Sequence, residues 1–179
     1  MPRNIRKHME KVSDVAVRLG KKLIYKGVDL DLGIVRQAAL LHDLAKIITC
    51  FDGFNSFEDT VKVEDLEVWN NIKDKYGDLS DPEITALRLR EANEEKIANI
   101  VRKHHFTAIV EPGNEPSTWE EKLLYYADKL VLHDREVTLK ERLQDFDERY
   151  SSEEETPANI KEAQIKIYEL EQEIKEILN

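Results

Sequence analysis

Several ionisable side chains fall where a helix would bury them. His8 has Val12 four residues on and Val15 seven on, so it borders the apolar stripe of a first helix. His42 lies between Ala38 and Ala45, Asp43 is its neighbour, and Lys46 stands one turn further along. Asp128 interrupts an apolar face made by Leu124 and Val131, and His104 and His105 follow Ile100 and Val101 by four residues each. Burying such groups without partners is costly, so something should compensate them. Two imidazoles and two carboxylates converging from separate helices would offer nitrogen and oxygen ligands suited to Mn, Fe, Co, Ni, Zn or Mg. Positions would remain for water or substrate. Asp43 is about 100° around a helix from His42, so both can address one ion or one phosphate, and Lys46 overhangs the pair.

Each residue also has an ordinary structural reading. A single histidine on an apolar face is commonly a hydrogen-bonded core residue. Asp43 with Lys46 could be a helix ion pair worth about 0.3–0.5 kcal/mol, and Asp128 could receive Lys129 or Arg135. His133-Asp134 repeats the dipeptide near a helix end, where a solvated histidine is expected. One shared explanation across four helices accounts for more than four separate ones.

The elements that must position these residues are helical. Gly (6) and Pro (5) are scarce, and the apolar residues follow helical rather than alternating periodicity. A first helix carries Ile5, Met9, Val12, Ala16, Leu19 and Leu23 and runs out at Gly27. Asp29 or Asp31 caps a second that continues through Ile48 to a break at Asp52-Gly53, and a wetter helix is predicted from about Phe57 to Tyr76. Ser80-Asp81-Pro82 opens a short helix, Asn93 caps the next, and Ser117 with Glu120 or Thr118 with Glu121 offers a capping box for the helix that carries Asp128. An acidic break over Ser151 to Pro157 precedes a last helix with Ile160, Ala163, Ile167, Leu170, Ile174 and Ile177 in an a/d pattern.

Length and charge narrow the classes. The 179 residues suit one domain with ample core, an all-α bundle over 1–150 with an additional amphipathic helix over 151–179 that packs on the domain or on a partner chain. Lys plus Arg is 27 against 37 for Asp plus Glu, a net charge of −10, the wrong sign for a long nucleic acid. One cysteine, Cys50, offers neither an intramolecular disulfide nor a thiolate metal cluster. The polar start and the lack of any apolar run near ~18 residues predict a cytoplasmic protein with no membrane partner.

The order His8, His42-Asp43, Asp128 resembles the HD superfamily of metal-dependent phosphohydrolases, whose signature is a histidine, an adjacent His-Asp pair and a distant aspartate. The setting strengthens the likeness: Leu40-Leu41-His42-Asp43-Leu44-Ala45-Lys46, then Tyr125-Tyr126-Ala127-Asp128-Lys129-Leu130. It covers roughly Ile5 to Tyr150. Ile100-Val101-Arg102-Lys103-His104-His105 looks like the stretch that supplies further histidines in members with a second metal. The other histidine of that set often precedes Pro-Glu-Ile, and here Asp81 stands there, which as a helix cap would leave one tightly held ion and a second ion open.

The resemblance implies an all-α HD fold and hydrolysis of a phosphoester by metal-activated water. The metal ligands would be His8, His42, Asp43 and Asp128. Asp43 could also position the water, Lys46 would stabilise the transferring oxygens, and His104 or His105 would protonate the leaving oxygen or touch phosphate. The expected substrate is a nucleotide or another small phosphorylated metabolite. Two other readings stand beside it: a catalytically silent metal- or nucleotide-binding sensor or scaffold, and a homo-oligomer joined through the last helix.

Overall fold

The computed structural model describes residues 1–49, 63–150 and 157–179. Cys50, the break at Asp52-Gly53, the start near Phe57 and the acidic stretch 151–156 lie outside the described residues. The fold is all-α. Its elements are α1 (Arg3–Tyr25), α2 (Leu32–Leu41), α3 (Lys46–Thr49), α4 (Val63–Tyr76), α5 (Asp81–Glu91), α6 (Glu95–Arg102), a 3-10 turn (Phe106–Val110), α7 (Trp119–Lys129), α8 (Leu139–Tyr150) and α9 (Ala158–Leu178). Among the described residues the only strands are β1 (Val131–Leu132) and β2 (Arg135–Glu136), an antiparallel hairpin pairing Val131 with Glu136. Periodicity gave no warning of it, because two-residue strands are too short to alternate.

α1 buries Val12, Val15, Ala16 and Leu23 against α2 and α7, and Ile5 and Met9 in a separate cluster with Ala45, Ile47, Ile48 and Ile84. Gly20 permits the approach, since a Cβ there would stand 2.6 Å from Leu32 Cδ1. The helix ends at Gly27 (φ +91°), where the Val28 amide reaches the Leu23 carbonyl and the Gly27 amide that of Ile24. The same ending closes α5, with Asn93 (φ +63°) in the glycine's place. The sequence predicts that Asn93 caps α6; instead it terminates α5, and its short side chain tolerates the left-handed conformation.

Asp31 caps α2 by accepting from the Gly33 and Ile34 amides. The helix does not continue to Ile48. After Leu41 the amides of Leu44, Lys46 and Ile48 bond three residues back, and the Ala45 amide goes to Thr85 Oγ1 on α5 at 3.1 Å. Side chains three apart eclipse in such tight turns, which stacks Lys46 over Asp43. Ser80 caps α5, its amide and hydroxyl both donating to Glu83. Asp81 is thus the first helical residue and is relieved of the capping duty assigned to it from sequence.

Thr118 and Glu121 form the capping box of α7. Glu121 also accepts from the Ser117 amide at 2.8 Å and from Lys103 Nζ at 2.9 Å. Burial opposes its ionisation, yet these donors hold its carboxyl below the usual range. The stabilisation is present above the ordinary glutamate pKa and is lost as pH falls through the lower folded value. Glu121→Gln is expected to cost about 1–3 kcal/mol at neutral pH. Thermal melts from pH 7 to 3 should show the gap to the unaltered protein closing with acid; a constant gap would contradict it.

α9 lays Ile167, Leu170 and Ile174 on a second apolar cluster with Tyr125, Tyr126, Leu139 and Leu143. Tyr126 donates to Glu171 at 2.9 Å and Lys122 to Glu173 at 2.6 Å. The a/d stripe therefore faces the domain's own core, which also backs the helix carrying Asp128.

Candidate metal centre

Five elements converge around Asp43: α1 brings His8, the tight turn after α2 brings His42 and Asp43, α5 begins with Asp81, α6 is followed by His104, and α7 carries Asp128 beside His8 and His42. His42 and Asp43 are fully buried, and His104 and Asp128 nearly so. The rings of His8 and His42 lie 5.3 Å apart, and those of His42 and His104 4.8 Å.

A backbone carbonyl orients each of the three imidazoles. His8 Nδ1 lies 2.7 Å from the His133 carbonyl, His42 Nδ1 2.8 Å from that of Ala39, and His104 Nδ1 2.6 Å from that of Val101. A carbonyl only accepts, so Nδ1 carries the proton and Nε2 of the neutral ring presents its lone pair inward. His133, in the hairpin turn at φ +57°, contributes through its backbone. Sequence reading gave its side chain a solvated place and could not see that the carbonyl aims His8.

Those lone pairs converge on carboxylates. His8 Nε2 is 3.1 Å from Asp128 Oδ1 and 3.7 Å from Asp43 Oδ2; His42 Nε2 is 3.5 and 3.6 Å from the same two atoms. Acceptors facing acceptors repel unless a proton or cation lies between them. Ligand atoms about 2.0–2.2 Å from one ion would stand about 3.0–3.5 Å apart. His42 Nε2 and Asp43 Oδ1 are moreover buried without a hydrogen-bond partner. The donor set therefore fits a divalent cation: His8, His42 and Asp43 group as candidate ligands, and Asp128 Oδ1 lies beside both imidazoles.

Asp43 faces two ways. Its Oδ2 addresses His8 and His42, while Oδ1 lies 3.5 Å from His104 Nε2, and ligand atoms of Asp43, Asp81 and His104 lie within 4.8 Å of one another. Freed from capping, Asp81 takes part in a second group of candidate ligands that shares Asp43 with the first. His104 and His105 part company. His105 is half-buried in a separate polar pocket, with Nε2 donating to Glu111 at 3.1 Å and Thr107 and Asn114 close by; burial pushes its pKa down.

Burial works against both carboxylates, and their polar neighbours overcome it. Burial would raise the Asp43 carboxyl, but His42, Lys46 and the nearby His104 hold it well below the usual range. Asp128 behaves alike, with burial opposed by Lys129, His42 and His8. Lys46 Nζ is 2.7 Å from Asp43 Oδ2 and still 42% exposed, so it caps the cluster from the solvent side. Its pKa is raised: burial works against the charge, and Asp43, Asp128 and Asp81 overcome it. For His42, too, burial opposes protonation while Asp43 and Asp128 favour it, and the net direction is upward.

Lys129 escaped sequence reading as a functional residue. It is buried, donates to Asp128 Oδ2 at 2.7 Å and to the His104 carbonyl at 2.8 Å, and lies 4.5 Å from the Tyr125 ring centre. One ammonium thereby ties the ligand on α7 to the ligand after α6. Its neighbour in sequence, Asp128, was the signal; the carbonyl of His104 was not foreseeable.

A buried His and Asp centre assembled from helices, opening on a pocket of about 320 Å³ lined by Lys46 and Arg142, marks an all-α protein with side chains grouped to hold a metal ion. Residues 5–132 match the HD domain family, and the chain belongs to it. Its members are generally metal-dependent phosphohydrolases. Comparison with curated proteins and with solved structures gave no significant match. No helix among the described residues is long and apolar enough to cross a membrane.

Proposed function

We propose that the protein is a metal-dependent phosphohydrolase that cleaves a phosphoester of a nucleotide or another small phosphorylated metabolite. The observation that carries the reading is the pair of buried, unpartnered atoms His42 Nε2 and Asp43 Oδ1 within a ring of acceptors beneath Lys46. A divalent ion bound there supplies polarisation of a phosphoryl oxygen and a lowered pKa for water. His8 and His42 keep Nε2 available because their Nδ1 protons are committed to carbonyls. Asp43 and Asp128 stay ionised across the neutral range. Lys46 places a partly exposed ammonium at the mouth of the pocket, where it meets the phosphoryl oxygens as charge builds on them. Asp81 and His104 are positioned to hold a second ion with Asp43, an ion weaker than the first because fewer ligands surround it. The net charge of −10 keeps long polyanions away, while the local cations admit a small one.

Phosphate release from a panel of nucleotides and sugar phosphates, with each of several divalent ions, tests this reading. Lys46→Ala is expected to keep its metal and to lose about 10- to 100-fold in turnover, since its partner is the substrate's transition state. Unchanged turnover would make Lys46 a partner of Asp43 alone.

A further inference from the structure

We propose that Arg142 is the residue that grips the substrate's phosphate, and that recognition at this site is centred on phosphate rather than on a base. The inference rests on the phosphohydrolase reading for its substrate and on separate observations for its site. Arg142 lies on α8, beyond the family match that ends at residue 132. It lines the same pocket as His8, Asp43, Asp128 and Lys46.

The guanidinium keeps one donor without a partner. Its Nε is buried with no hydrogen-bond partner, and Nη1 makes a 3.4 Å contact with Asp145 one turn along the helix. Its side chain is 20% exposed, so water does little to solvate it. A buried donor left unpaired is costly, and a bound anion is one way to offset that cost. Nε and one Nη form a planar fork that matches two oxygens of a phosphate, a geometry lysine does not offer. Lys7 and Lys46, the other cations lining the pocket, face Asp134 at 3.8 Å and Asp43 at 2.7 Å. Among the described residues lining the pocket there is no Phe, Tyr or Trp, the large rings on which a nucleobase stacks best. Ile5, Val131 and Leu132 supply apolar wall instead.

Inorganic phosphate is the probe. Calorimetric titration of phosphate into the full-length, Mn²⁺-loaded protein is expected to give saturable binding, weakened about 10- to 100-fold in Arg142→Ala, with metal content and melting temperature unchanged. Arg142→Lys keeps the charge but not the fork and should recover only a minor part; it also serves as the test if the alanine variant does not fold. Equal phosphate affinity in the unaltered protein and in both variants would overturn the assignment, as would no phosphate binding by the metal-loaded protein. The two readings fail separately. If no phosphoester is hydrolysed but phosphate binding still depends on Arg142, the enzyme reading falls and the anion site stands. If hydrolysis proceeds with an unchanged KM in both Arg142 variants, the reverse holds.

Discussion

Asp43→Ala is expected to abolish metal binding and phosphoester hydrolysis together while leaving a folded, helical protein. One oxygen of this carboxylate faces His8 and His42 and the other faces His104, so one substitution removes a ligand from both groups. Folding should survive, because the substitution removes a buried charge along with its bonds, and the partner it leaves, Lys46, reaches solvent. Losing both the ligand and the anion that Lys46 stacks upon should lower activity at least about 1000-fold, the scale of several kcal/mol of transition-state stabilisation. Metal analysis, circular dichroism and phosphate release on the same preparation check it. Full metal occupancy in this variant would remove Asp43 from the centre.

The second large effect is expected at Lys129, and it is one of stability. Lys129→Met would leave the Asp128 carboxylate buried without its adjacent cation and the His104 carbonyl without a donor. Breaking a buried pair from one side costs about 3–5 kcal/mol. A divalent ion would replace part of the missing positive charge, so adding Mn²⁺ should raise the melting temperature more in the variant than in the unaltered protein. A metal-free variant that melts with the unaltered protein would show that Lys129 does not hold the centre together.

What could be read from sequence was what local spacing encodes. The stripe of α1, a cap at Asp29 or Asp31, a box from Ser117 with Glu120 or Thr118 with Glu121, and the inward face of Asp128 are each set by residues within a turn or two of one another; the structure takes Asp31 and the Thr118 box. The break after Leu41 was hidden because tight turns keep apolar residues three and four apart, so Ala38, Leu41, Ala45 and Ile48 read as one helix. Asp81 and Ser80 are both good caps, and the choice fell to Glu83, whose carboxylate takes the Ser80 amide. Asn93 suits a helix start or a helix end, and only the bonds to Leu89 and Arg90 decide. His104 and His105 are adjacent, and a turn that opens after Lys103 sends one to the centre and the other to Glu111. The contributions of Thr85, Lys129, the His133 carbonyl and Arg142 depend on partners far off in sequence, so no spacing rule exposes them.

The most direct test of the central claim is an anomalous-difference map from a crystal of the full-length protein equilibrated with Mn²⁺. The expected peak lies about 2.0–2.3 Å from His8 Nε2, His42 Nε2, Asp43 Oδ2 and Asp128 Oδ1, with a weaker second peak among Asp43 Oδ1, Asp81 and His104 appearing at higher Mn²⁺. A map with no peak among His8, His42, Asp43 and Asp128, or one whose only peak lies elsewhere on the surface, would contradict it.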